Sequence, residues 1–185
     1  MHERVMKIKI PTNFQDVTLW QWMRYKKELS PIDKLKLFWE GNISAVSINA
    51  LQTANDAIDE LMEEDPRFFK IITHNGKEYG FINDWDKFTT GEWIDVETYC
   101  KDLTLNAHKV MSILYRPIKS RAGDNYEIEP YNGSHEEFKE VPASFFLGMM
   151  VFFCENKSKY LTNFQASLME KVTQMLSRRD GTGTT

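Results

Sequence analysis

An unbroken run of ten apolar residues, FFLGMMVFFC, occupies positions 145–154 and limits the folds that are open to this chain. A helix needs about 20 apolar residues to cross a bilayer, so this run is too short to span one. A helix that is apolar on every side must still be covered, either by its own core or by another chain. The run therefore predicts a buried helix and no membrane span.

The residues after this run predict one more helix, because apolar side chains recur there every three or four positions. These side chains are Tyr160, Phe164, Leu168, Val172 and Met175. We therefore expect C-terminal helices over residues 142–177. The remaining residues, 178–185, predict a frayed and flexible tail.

The first 117 residues carry the signals of one α+β domain. Residues 7–10, Lys-Ile-Lys-Ile, alternate with period two and predict a short strand. Helices are predicted from Thr18, where Gln21 completes a capping box, from Ser30, which precedes a proline, and from about Ser47. Their apolar stripes predict one common core.

A hairpin is predicted over residues 68–82, because Asn75-Gly76 supplies the two positive φ angles of a type I′ turn. Two more helices follow, one from Thr89 and one that ends before Arg116-Pro117. The expected fold class is α+β, mostly helical, with a small antiparallel sheet made of residues 7–10 and the hairpin. Residues 118–141 are polar and predict a surface loop with one helical turn near 134–137.

An internal echo relates residues 10–23 to residues 81–94 at a shift of 71 positions. Thr18 matches Thr89, and Trp22 matches Trp93, one position after a Gln or Glu. Such strand-turn-helix units can converge on these residues because capping requires them. The alternative is a duplicated structural unit, and the sequence leaves both explanations open.

Composition and charge exclude several classes of function. The chain has 23 basic and 27 acidic side chains, so its net charge of −4 offers no general positive field for phosphates. We therefore expect no nucleic-acid partner. Cys100 and Cys154 are too few and too far apart for a disulfide scaffold or a metal knuckle, which favours a reducing cytosol. No signal-peptide pattern begins the sequence.

Motifs for catalysis and for cofactors are missing from the sequence. The four histidines show no metal-ligand spacing, and no GxSxG, GxGxxG or Walker pattern occurs. Cys100 and His108 could form a thiol–imidazole pair, but no third residue orients them. We therefore predict no catalytic, cofactor-binding or metal-binding residues.

The chain is rich in side chains that protein interfaces favour, with five Trp, twelve Phe and nine Met. Seven aromatic residues are the candidates for protein interaction: Trp22, Trp93, Tyr115, Phe145, Phe146, Phe152 and Phe153. One explanation is that such side chains all fill a single core. The other is that a second protein chain covers part of them.

Three strings, KIKIPTNFQDVTLWQW, YGFINDWDKFTTGEWIDVETY and HKVMSILYRPI, together resemble a group of small tailed-bacteriophage proteins. That group looks like tail assembly chaperones or minor virion proteins, and the likeness covers about half the chain. It includes the Ile94-Asp95 pair and the Leu-Tyr-Arg-Pro element at 114–117. The resemblance implies a structural or assembly role and transfers no active-site residue.

The expected function is therefore a non-enzymatic phage assembly or virion structural protein that acts by protein–protein contact. Its partners would be other phage structural proteins or a second copy of the chain, without nucleic acid or membrane. It would act in the host bacterial cytoplasm, in the virion, or in both. The alternatives are a small enzyme with an unrecognised site and a host-directed binding or inhibitor module.

Overall fold

A computed structural model of the chain describes residues 8–27, 29–64, 66–82 and 84–156. The helices are α1 (Leu19–Tyr25), α2 (Pro31–Lys36), α3 (Ile48–Leu61), α4 (Thr90–Cys100), α5 (Leu103–Leu114) and α6 (described over 143–156). The strands are β1 (Ile71–His74), β2 (Lys77–Phe81), β3 (Tyr115–Ala122) and β4 (Asn125–Ile128). They form one antiparallel sheet in the order β1-β2-β3-β4. The predicted fold class, α+β and mostly helical, is confirmed.

The predicted hairpin and its turn are also confirmed. Strand β1 pairs with β2, and the two turn residues, Asn75 and Gly76, have φ angles of 49° and 73°. Both values are positive, as a type I′ turn requires. Here local sequence alone is sufficient to specify a supersecondary unit.

Two predictions about the sheet are wrong. Residues 8–10, the described part of the expected N-terminal strand, lie outside the sheet, although Ile8 and Ile10 pack against the core. The region 118–141, expected to be a surface loop, instead contains most of β3, all of β4 and a 3₁₀ helix at Glu136–Glu140. The outward-facing side chains of this edge hairpin are polar. Its sequence therefore lacks the apolar pattern that would predict strands, and a loop is expected instead.

The two segments related by the internal echo, which we call the first and second repeated units, have the predicted helix caps. Thr18 and Thr89 both cap a helix with a complete capping box, closed by Gln21 and Glu92. A 3₁₀ turn precedes each helix, at Phe14–Asp16 and at Trp85–Lys87, and the side chain of Asn13 or Asp84 caps it. The described part of the first copy has no strand, so the shared unit is shorter than the sequence predicts.

The core lies on one face of the sheet. Helix α5 is its centre, since seven of its residues are buried. Helix α6 packs beside α5. Two backbone hydrogen bonds connect the start of α6 to the first repeated unit: Ala143 N donates to Val17 O, and Leu19 N donates to Val141 O, both at 2.8 Å. In α6, Gly148 lies against the Arg67 carbonyl, where a Cβ would overlap backbone atoms. The apolar run is thus seated in the molecule's own core.

Candidate functional site

Four of the seven residues predicted to contact a partner are buried in the chain's own core. Trp22, Tyr115, Phe146 and Phe153 are each at most 6% exposed. Their rings pack against neighbouring elements, as in the pair of Trp22 with Phe146, whose centroids are 5.5 Å apart. In this conformation these four side chains offer no contact surface, which corrects the prediction for them.

The other three predicted contact residues, Trp93, Phe145 and Phe152, are half-buried. The rings of Phe152 and Phe68 are stacked and nearly parallel, with centroids 4.0 Å apart, and the ring centroids of Trp93 and Phe153 are 6.1 Å apart. Phe145 meets Phe69 edge to face. Each therefore has an intramolecular partner and keeps only part of its surface for another molecule.

The outward side of α6 carries a different set of apolar residues, which we call the α6 stripe. It consists of Leu147, Met150, Val151 and Cys154. Their spacing places them on one helix face, while Phe146, Met149 and Phe153 point into the core. Val151 is 47% exposed and Cys154 is exposed as well, whereas Leu147 and Met150 are half-buried and pack against the core. Sequence reasoning named the apolar run but could not tell its inner from its outer face.

A cleft of about 1030 Å³ lies on the other face of the sheet. The register pairs Gly80 with Arg116, so both belong to this face, while Tyr79 and Phe81 point to the core. The Tyr126 ring covers Gly80, and its hydroxyl donates to Phe81 O at 2.6 Å. The opposite wall is the start of α4, with Phe88, Thr89 and Glu92. The cleft thus separates the sheet from the second repeated unit.

A buried ion pair bridges this cleft. Arg116 Nη2 lies 2.7 Å from Glu92 Oε1, and the two side chains are only 9% and 12% exposed. Arg116 Nε also donates to Ile113 O at 3.0 Å. Burial lowers the pKa of Arg116, and the charge of Glu92 opposes that shift. Because the two charges are paired with each other, we interpret this ion pair as a structural contact between α4 and β3 and not as a reactive group.

Other charges around the cleft also pair with opposite charges. Lys87 Nζ lies 2.9 Å from Asp84 Oδ2, while Lys119 shares the rim with Glu127 and Glu129. Basic and acidic groups therefore both line the opening. Such a rim gives no uniform field that would select an anionic or a cationic ligand.

One group of potential metal ligands occurs among the residues that the structure describes. His108, His135 and Glu136 each place a donor atom within 4.8 Å of the others. Burial lowers the pKa of His108 to about 4, and the nearby Lys139 and His135 act in the same direction. The histidines are 27 positions apart, so spacing along the chain contained no signal for this group. Only their shared packing brings them together.

Comparisons with known proteins give no relative for this chain. No protein-family model, no curated protein and no solved structure matches it. Within the described residues, no helix has both the length and the apolar character that a bilayer crossing requires.

Proposed function

We propose that this chain is a non-enzymatic bacteriophage assembly or virion structural protein that acts by contact with another phage protein or with a second copy of itself. The α6 stripe is the observation that carries the proposal. Its four side chains share one helix face, on which Val151 and Cys154 are exposed while Leu147 and Met150 are half-buried against the core. The three strings that resemble small phage tail proteins support the same role.

The stripe is suited to a protein partner on energetic grounds. Covering the exposed half of the Val151 side chain contributes roughly 1 kcal/mol before the cost of ordering the partner. Exposed apolar groups that form a contiguous face are typical of interaction sites, whereas scattered ones are ordinary. Val151 and Cys154 are exposed and lie one turn apart along α6, so they form the accessible part of such a face.

The direct test places a charge on the stripe. We expect Val151→Asp to weaken self-association or partner binding, because a carboxylate would have to be desolvated in the contact. Light scattering after size-exclusion chromatography would measure the first effect, and co-purification with phage structural proteins would measure the second. Ile48→Asp is the matched control, since Ile48 is 84% exposed on α3.

Thermal unfolding separates this proposal from the alternative that another part of the same chain covers the stripe. We expect Val151→Asp to leave the stability of the isolated chain within about 0.5 kcal/mol, as for other surface substitutions. A large loss of stability with unchanged assembly would show that the stripe is internal packing, and would overturn the proposal.

Analysis of purified phage particles distinguishes the two forms of the proposed role. A structural protein would be present in particles in stoichiometric amount. A chaperone would be missing from particles, while tails would fail to form without it. A chain that is absent from particles and dispensable for tail formation would contradict both.

A ligand-binding protein or small enzyme is the second candidate, and the cleft beside Arg116 and Glu92 favours it. Ile128 and Tyr126 line the floor of the cleft, and Phe88 lines its wall. These apolar and aromatic side chains suit a small molecule with an apolar ring. A thermal-shift screen of small metabolites would test this candidate. A hit that protects the native chain but not Phe88→Ala would support it.

A further inference from the structure

His108, His135 and Glu136 come from two packed elements. His108 belongs to α5, while His135 and Glu136 begin the 3₁₀ helix at Glu136–Glu140. His135 Nδ1 lies 3.1 Å from Glu136 Oε1, and His108 Nε2 lies 3.7 Å from the same oxygen. The two imidazole rings meet edge to face, with centroids 5.1 Å apart. Three donor atoms of the kinds that bind transition metals therefore converge on one point.

The histidines are held there with unmet hydrogen-bonding capacity. His108 is only 4% exposed, so helix α5 and its neighbours fix its ring. Nδ1 of His135, one of the converging donor atoms, is buried without a hydrogen-bond partner among the described residues. Nδ1 of His108 also has none there, but it lies across the ring from Nε2, the atom that faces Glu136. Leaving buried polar atoms unpaired costs free energy, and such atoms call for a physical explanation. A ligand at this point would pair with Nδ1 of His135.

The spacing suits a metal ion with little rearrangement. Tetrahedral Zn²⁺ holds nitrogen and oxygen ligands at about 2.0–2.2 Å, which places the ligand atoms roughly 3.3 Å apart. The distances of 3.1 Å and 3.7 Å from Glu136 Oε1 bracket that value. All three donor atoms lie within 4.8 Å of one another, so closing the site around an ion requires rotation of these side chains.

Neighbouring groups leave one oxygen and one open side for the ion. Lys139 Nζ lies 2.6 Å from Glu136 Oε2, so the lysine holds the carboxylate while Oε1 faces the histidines. The Glu136 side chain is 69% exposed, which leaves the outer side of the cluster open to solvent. Two imidazoles and one carboxylate with an open fourth position are a known pattern for zinc. Imidazole ligands also disfavour Mg²⁺ and Ca²⁺.

We propose that His108, His135 and Glu136 form a binding site for a divalent transition metal of the zinc type, with the fourth position open to water or to a partner's side chain. The site depends only on these three residues and not on the α6 stripe. It can therefore be tested independently of the assembly role.

Metal titration of the full-length chain tests the site. We expect one equivalent of Zn²⁺ to bind by calorimetry. Co²⁺ used as a probe should give the visible absorption of a four-coordinate ion. Because Cys100 and Cys154 are free, the titration is repeated with Cys100→Ser and Cys154→Ser together. Binding that persists there excludes thiolate ligands.

Substitutions assign the ligands. Glu136→Gln and His135→Asn change residues that keep some exposure, so both variants should fold, and each should weaken Zn²⁺ binding at least 10-fold. His108→Gln should abolish binding, with circular dichroism as the check on folding. His74→Asn is the matched control, because His74 lies in the first hairpin and should leave the affinity unchanged.

Two results would overturn the proposal. One is the absence of stoichiometric Zn²⁺ and Co²⁺ binding by the folded wild-type chain. The other is binding that Glu136→Gln and His135→Asn leave unaltered, or that disappears in the cysteine double variant. In either case, the three side chains form an ordinary polar cluster between α5 and the 3₁₀ helix at Glu136–Glu140.

Discussion

The Glu92 carboxylate joins two elements, because one oxygen pairs with Arg116 while the other closes the helix cap. Oε1 lies 2.7 Å from Arg116 Nη2, and Oε2 accepts a hydrogen bond from Thr89 N at 2.7 Å. The first repeated unit has a parallel arrangement, in which Gln21 Oε1 accepts from Thr18 N and Gln21 Nε2 donates to Leu37 O. In each copy, the residue that closes the capping box also ties the helix start to the rest of the molecule.

We expect Glu92→Ala to be among the most destabilising single substitutions in α4. It leaves the buried Arg116 charge unpaired, which costs roughly 3–5 kcal/mol, and it also opens the cap. Glu92→Gln with Arg116→Met should recover most of that loss, since neither charge then remains buried. Urea unfolding measures both. A cost for Glu92→Ala no greater than that of Gln21→Ala would mean that the ion pair adds nothing to stability.

The two capping threonines should be equivalent in energy. We expect Thr18→Ala and Thr89→Ala each to lower the free energy of unfolding by about 1 kcal/mol, because each removes the acceptor for a helix N–H group. Serine at either position should restore most of it. Thr90→Ala, one residue beyond the second cap, is the control and should be nearly neutral. If Thr18→Ala did not change the free energy of unfolding, the two caps would not be equivalent.

Two glycines in helices should respond in opposite ways to alanine. Gly148→Ala places a Cβ against the Arg67 carbonyl, which is backbone and cannot turn aside. We expect it to cost about 1–3 kcal/mol by overpacking. At Gly91 the added Cβ would meet only Thr89 Oγ1, at 3.9 Å, so Gly91→Ala should be neutral or stabilising by up to about 1 kcal/mol. Equal effects at both sites would contradict this packing of α6.

Acidification should destabilise the chain through His108. Its pKa is lowered by burial to about 4 from 6.5, so the unfolded chain binds this proton more readily than the folded chain. Stability is therefore retained above pH 6.5 and falls by about 3 kcal/mol as the pH drops towards 4. Urea unfolding at several pH values, with a chelator present, measures the slope. His108→Gln should flatten it in this range, and an unchanged slope would assign the effect to other groups.

The sequence is sufficient to predict the short elements whose hydrogen bonds join residues that are close together in the chain. The capping boxes at Thr18 and Thr89 and the turn at Asn75-Gly76 each depend on at most four consecutive residues. Their hydrogen bonds and φ angles depend little on what packs around them. For that reason, the helix starts and the first hairpin are predicted and confirmed.

The positions of the side chains in the α6 stripe, the cleft and the histidine cluster depend on tertiary contacts. Whether Phe153 faces the core and Val151 faces outward depends on how α6 is rotated against α5 and the sheet, and an apolar run on every side carries no such information. The pairing of β3 with β4, the ion pair of Glu92 with Arg116, and the meeting of His108 with His135 likewise arise from packing across 3 to 27 positions of chain. Burial energy sums over the whole core, so the tertiary structure alone determines which of these side chains meet and which remain exposed.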